Sequence, residues 1–383
     1  MKKSVLLLML CLFISCDDRD VNDDVSSSTD AYQYKQSTMF NYIESIGVGF
    51  LFNNCQNNIL IFPTWDKYHE TIDALDQMTE QYCDNFDSSV PNGISDEQYD
   101  ALADAANFDE DDILRKFEED LEFCSLRQKI EALENSWLEQ QGDGDWDMDS
   151  DPDNHFIDDE TERALLSQNV EVIIGDKIKG YTYYRFFDDM GTWIELYANN
   201  ISVLTQMIQN QPVKNPRSIA IVHKPEILYE GSCKYKVDER KPRDFDNYKL
   251  KRVSKVRPAF GTNCLSNPCK SIFPSIIKSK TKGYVKRGNK WRSRRLNIAA
   301  GICGENPNEV GYVFIDCVDE DSLYKVKEKR RRKVKVKYRS ITDMNTYYSP
   351  PRRYNFELRD NRLYSFHKVN GNVEKIDFYD YAN

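Results

Sequence analysis

The sequence predicts an α+β chain, with an N-terminal helical domain, a small β-hairpin connector and a C-terminal antiparallel β-sandwich. Three observations carry that prediction. Helical spacing and capping boxes are confined to residues 37–166. Beyond about residue 217, short β-rich runs follow one another with turn signals and no intervening helices. The charge changes sign along the chain: residues 231–383 carry 36 Lys and Arg against 17 Asp and Glu, a net of +19, so the total of −11 leaves −30 on residues 1–230. A split this large implies that the halves attract each other or that the basic half meets an external polyanion.

The chain opens with Met1, Lys2 and Lys3, followed by an apolar run over 5–14. A basic start and a short apolar core form the layout of a secretory signal, and the run is far short of the roughly 20 residues that cross a bilayer. It ends Leu12-Phe13-Ile14-Ser15-Cys16, which resembles the lipobox of bacterial lipoproteins. The resemblance implies a signal peptide over 1–15 and acylation of Cys16 by palmitate-type chains, and two or more such chains hold a protein at a membrane. Residues 16–36 are acidic and Ser-rich and read as a solvated tether. An acidic cluster directly after the cysteine resembles the export signal of surface lipoproteins, which implies the outer face of the outer membrane. In other species an Asp in the place of Asp17 marks inner-membrane retention, so the sorting stays open.

Within 37–166, Thr64 is a candidate N-cap, and Tyr68, Ile72, Leu75 and Met78 recur at helical spacing after it. Ser95 with Gln98, and Ser125 with Gln128, form capping boxes. Ile113, Phe117 and Leu121 share one helical face, and Ile130, Leu133 and Trp137 share another. These stripes read as core, with Trp65 and His69 as packing or surface residues. The connector, 167–216, holds two β-rich runs around Gly175-Asp176, a third strand in TWIELY and a short helix in ISVLTQMIQN. The basic domain, 217–383, shows hairpin turns at Gly288-Asn289, Asp360-Asn361 and Asn370-Gly371.

The stretches IFPTWDKYHETIDALDQM, FCSLRQKIEALENSWL and DPDNHFIDDETERALLSQNVEVIIGDKIKGYTYY resemble an uncharacterised family of bacterial surface lipoproteins from gut anaerobes. That likeness covers roughly residues 37–200 and implies the localisation and the domain boundary, with no catalytic residues.

With Cys11 lost in the signal and Cys16 acylated, eight of the ten cysteines remain, an even number in an exported chain that permits disulfides. Cys303 and Cys317 flank an expected hairpin and form the local candidate pair. Cys264 and Cys269 lack the partners of a zinc site.

Two polar stretches stand out. In DGDWDMDSDPDNHFIDDE, Asp149, Asp151, Asp153 and Glu160 fall at calcium-loop positions 1, 3, 5 and 12, with Asn154 at 6 and Phe156 at 8. Pro152 and the lack of a second loop favour instead an acidic loop running into a helix N-terminus. In KVKEKRRRKVKVKYRS, Arg330, Arg331, Arg332, Lys333, Lys335 and Lys337, joined by Trp291, form a candidate polyanion site. An exported chain is not expected to meet nucleic acid, so surface polysaccharide, lipopolysaccharide phosphate or sulfated glycan is the expected anion. The opposing readings are a solvated hairpin whose charges block edge-to-edge pairing, and docking of these cations onto the acidic half. His69, His155, His223 and His367 fall in no zinc pair or nucleophile motif. The functional expectation is therefore a non-catalytic binding or adhesion lipoprotein; a glycan-processing enzyme and a structural subunit of an envelope assembly are the alternatives.

Overall fold

The Thr64 hydroxyl accepts from the Lys67 N–H and starts helix α1, Trp65–Ser89. Reciprocal Ser–Gln boxes start α2, Asp96–Ala105, and α4, Leu126–Gln140, so two orphan donors are satisfied at each end. Between them lies α3, Asp112–Asp120. The short α5, Glu160–Ala164, is capped by Asp159, and α6, Ile201–Ile208, by Asn200. The structure is a computed structural model. It describes residues 39, 41–52, 54–142, 146–176, 180–187, 192–211, 219–223, 237–245, 248–257, 260–263, 270–273, 276–288, 290–315, 319–339, 356–357 and 362–378. Helices dominate the first part and strands the second, as the α+β class requires.

The apolar stripes do converge. Tyr68, Ile72 and Leu75 of α1, Ile113 and Phe117 of α3, and Leu126 and Ile130 of α4 pack with Phe62, Val172, Ile174 and Trp193 in one core. Leu133 departs from expectation: it is 46% exposed. The stripe of α4 turns away there, and Trp137 and Leu138 join a separate aromatic cluster.

That core rests on a six-stranded sheet of β1 (Gly49–Phe50), β2 (Leu60–Phe62), β3 (Glu171–Asp176), β4 (Gly180–Phe186), β5 (Trp193–Ala198) and β6 (Ile219–His223), in that order. β2 and β3 run parallel, so α1–α5 form the long crossover that a parallel pair needs. The helical region and the connector therefore share one sheet. Gly175 and Asp176 are the last paired residues of β3, opposite Tyr181 and Gly180, rather than the turn itself. Pairing extends that far because Gly180, at φ +106°, lies against the Ala198 carbonyl with no Cβ to collide.

A disulfide joins Cys55 to Cys124 across a sequence separation of 69. The expected Cys303–Cys317 bridge is not formed. Cys303 is a free, buried thiol whose side chain packs with Ala299 and Phe366, and burial pushes it up to about 11. Cys317, like Cys16 and the Asp360-Asn361 turn, lies outside the described residues.

The basic half contains β7 (Val237–Phe245), β8 (Tyr248–Arg257), β9 (Phe260–Asn263), β10 (Lys270–Phe273), β11 (Ile276–Arg287), β12 (Lys290–Ser293), β13 (Leu296–Cys303), β14 (Gly311–Ile315), β15 (Asp319–Leu323), β16 (Lys325–Arg331), β17 (Lys333–Arg339), β18 (Phe356–Glu357), β19 (Tyr364–Val369) and β20 (Asn372–Asp377). One sheet runs β12-β11-β8-β7, with β17 pairing the same edge of β11 as β12, opposite β8; a second runs β16-β13-β19-β20. The turn at Asn370-Gly371 sits where the sequence placed it, with positive φ at both residues, and Gly288, also at positive φ, follows Arg287, which pairs with Lys290; residue 289 lies outside the described residues. Leu250, Val256, Ile277, Val334 and Val336 of the first sheet pack against Ile298, Ala300, Ile302 and Val369 of the second.

Candidate functional site

Side chains alternate across a strand, and β11 uses both faces. Ile277, Ser279, Thr281 and Gly283 point into the sandwich; Lys278, Lys280, Lys282 and Tyr284 point out of it. In the antiparallel register Lys278 lies opposite Lys255 of β8 and Lys337 of β17, and Lys282 opposite Lys251 and Lys333. Lys280 lies opposite Lys335 and Val253. The result is a grid of ammonium groups on one sheet face. Like charges directly opposite each other are destabilising unless something neutralises them.

The acidic half supplies that neutralisation. Asp153 takes Lys280 at 2.9 Å, Lys282 at 3.2 Å and Lys251 at 3.4 Å, and its other oxygen takes Arg163 at 2.8 Å. Asp151 bonds Lys251 at 2.9 Å, and Asp158 bonds Lys278 at 3.1 Å. Asp159 and Asp76 each reach Lys337 at 2.5 Å and Lys335 within 3.3 Å. Glu134 accepts from Lys282 at 2.8 Å, Lys251 at 2.9 Å and the Tyr284 hydroxyl at 3.0 Å. Glu160 meets Lys333 at 2.5 Å and Lys280 at 3.4 Å.

Burial alone would raise the carboxyls of Glu134, Asp153, Asp159 and Glu160, but the ammoniums outweigh it. Lys251 and Lys282 hold Glu134 down at about 2. Asp153, Asp159 and Glu160 are held well below the usual carboxylate range in the same way, chiefly by Lys280, by Lys335 and by Lys333.

Beside the grid, Trp137, Trp146, Tyr284 and Trp291 form an aromatic cluster. The Lys249 ammonium sits 4.5 Å from the Trp146 ring centre and 5.1 Å from that of Trp291, a cation–π arrangement. Trp291 is buried and its Nε1 donates to the Gly142 carbonyl at 2.9 Å.

The tip joining β16 to β17 is gripped by the helices. Arg331 forms a bidentate pair with Asp87 at 2.6 Å on each arm and also donates to the Tyr99 hydroxyl. Arg330 pairs with Asp96 at 2.7 Å, and Arg332 with Asp109 at 3.2 Å. Glu110 accepts the Arg332 N–H at 2.9 Å; burial pushes its carboxyl up to about 7, and that N–H only partly offsets the rise. Glu110, Glu134, Glu160, Lys282, Arg332 and Lys333 line a cavity of about 110 Å³ between the halves.

Most of the predicted acidic and basic residues thus meet along one interface between the halves, the outcome of the docking reading rather than of an external anion. Asp151, Asp153 and Glu160 of the calcium register turn their oxygens onto ammonium groups, while Asp149 is exposed. Among the described residues no cluster of acids, His or Cys is gathered as a metal centre. Arg330, Arg331, Arg332, Lys333, Lys335 and Lys337 all face acids of the helical half. Missed entirely were Lys251, Lys278, Lys280 and Lys282. The signal that could have found them is the alternation of Lys278, Lys280 and Lys282 with Ser279 and Thr281 in β11, which puts the three ammonium groups on one sheet face. His367 lies in the sandwich interior, where Ser365, Ser254 and Thr281 surround its ring at 2.7–3.4 Å.

No family model matches the sequence, and no curated protein matches it. Among solved structures, the chain is similar to a DUF4848 family protein from Bacteroides thetaiotaomicron. The match covers 84% of this chain and 95% of that one, at 10% identity and a TM-score of 0.18. A likeness that distant carries neither fold nor function across.

Proposed function

We propose that the chain is a lipid-anchored lipoprotein of the bacterial cell envelope, exposed at the outer surface, with a non-catalytic binding or adhesion role exercised through its basic β half toward polyanionic glycans. The observation that carries the location is the apolar run ending in Ser15-Cys16. The Cys55–Cys124 bridge supports it, because such bonds persist in oxidising compartments outside the cytosol. The lysine array of β8, β11 and β17 matches the ligand class in charge, although in this structure it is paired with acids of the helical half. Mass spectrometry of the mature N-terminus, with protease shaving of intact cells, tests the reading. The expected species starts at an acylated Cys16 and is shaved; an unacylated chain beginning at Met1 and held in the cytosol contradicts it.

A second reading, a glycan-processing enzyme, draws on Glu110. A carboxyl near 7 facing a cavity has the protonation range of a general acid. Hydrolysis of an envelope polysaccharide that is abolished by Glu110→Gln would favour this reading over the first.

A further inference from the structure

Resting on the binding role above, we infer that the lysine face of β8, β11 and β17 is the surface that takes an anionic polysaccharide, and that the segment 151–160, with Asp76 and Glu134, is its built-in competitor.

The first support is the regularity of the face. Strands lie about 4.8 Å apart and alternate residues about 6.8 Å along them, so Lys255, Lys278 and Lys337 form one row and Lys251, Lys282 and Lys333 another. A repeating anionic polymer meets a repeating array of cations there.

The second is energetic. Joining two halves of a protein does not need like charges across three neighbouring strands. Apolar side chains of similar volume usually hold a buried interface as well or better than ion pairs. A face built of lysines keeps its affinity for anions when uncovered; an apolar face would not.

The third is the character of the cover. Asp151, Asp153, Asp158, Asp159 and Glu160 come from one short stretch that runs as turns and bends into α5. No strand of that stretch pairs with the lysine sheet. Its contacts with the lysine sheet are made mostly by carboxylates, with the Lys278 bond to the Asp158 carbonyl as an exception, while Ile157 and the Arg163 bonds to the 153 and 157 carbonyls tie it to the helical half. It presents to the sheet what a linear polyanion would present.

The fourth is a gradient of exposure. At the centre, the side chains of Lys251 and Asp151 are both 0% exposed. At the β17 edge of the face, Lys335 and Asp76 are 28% and 22% exposed, and Arg339 pairs with Asp73, which is 69% exposed. Rim pairs are weak and screened by salt, so displacement by a polymer begins there and moves inward.

The test follows hydrogen exchange of the whole chain at low salt with a heparin dodecasaccharide, using dextran of equal length as the neutral control. With heparin, amides of 151–160 are expected to exchange at least tenfold faster while β8, β11 and β17 keep their protection. A full-length Asp73→Lys/Asp76→Lys variant, which strips acid partners from Lys335, Lys337 and Arg339 at the β17 edge and leaves the lysines in place, is expected to bind heparin at least tenfold more tightly. If that variant fails to fold, the wild-type exchange decides alone. Heparin bound with 151–160 still protected places the polymer elsewhere and overturns this inference while leaving the binding role standing. No heparin bound by either chain overturns both.

Discussion

β11 meets two different partners with its two faces, and the same strand solves the two contacts by opposite means. Its inner face packs Ile277 among Ile298, Ile302 and Val369, where burial of apolar area holds the sheets together at about 25 cal/mol per Å². Its outer face buries Lys278, Lys280 and Lys282 against carboxylates. The inner contact tolerates a lost methylene. The outer one tolerates no lost charge, since removing one member of a buried pair leaves the other desolvated and unpaired.

The comparison breaks most readily at Asp153. Asp153→Ala strips the shared partner from Lys251, Lys280, Lys282 and Arg163. The expected loss is about 3–5 kcal/mol, read by urea unfolding; a loss under about 1 kcal/mol would put solvent in the interface.

Acid probes the inner face next. His367 is fully buried, and burial together with nearby Arg252 lowers it to about 3 from an ordinary 6.5. Between those values the unfolded chain binds the proton and the folded one does not, so stability falls as pH falls. The expected loss is about 1.4 kcal/mol per pH unit, roughly 3 kcal/mol by pH 4. A His367→Asn variant should lack that component of the slope. Glu110 acts in the opposite sense: with its carboxyl raised to about 7, it favours folding as pH falls from there toward its ordinary value.

A small truncation sharpens the contrast with Asp153. Ile298→Val removes one methylene from the sandwich and should cost about 0.5–1.5 kcal/mol with no salt dependence. The smallest effect is expected at the rim. Lys329→Ala breaks the exposed pair with Asp84, 2.7 Å long, and should cost roughly 0.2–1 kcal/mol, vanishing in high salt.

Local signals were legible in the sequence and long-range charge pairing was not. Thr64, Ser95 and Ser125 announced three helix starts because a cap is satisfied within four residues. The stripes of α1 and α3 announced the core because their period is local too. Leu133 misled, since periodicity marks a face and not the point where a neighbour ends. The Asp-rich run offered a calcium register beside the favoured acidic-loop reading, because its spacing supplies oxygens but says nothing of what meets them. Its partners, Lys251, Lys278 and Lys280, lie 100 or more residues away. The charge split of the two halves carried the one global hint, and it left an internal and an external partner equally open. The Cys303–Cys317 pair failed for the same reason: proximity in sequence does not turn a thiol out of an apolar cluster.

The account turns on the lysines of β8 and β11 being sealed between the two halves. Amine acylation of the native chain, read lysine by lysine by mass spectrometry, tests this directly. Lys251, Lys278, Lys280 and Lys282 should react at least tenfold more slowly than Lys290, whose side chain is 51% exposed. If all five acylate at comparable rates, the acidic half does not cover the sheet.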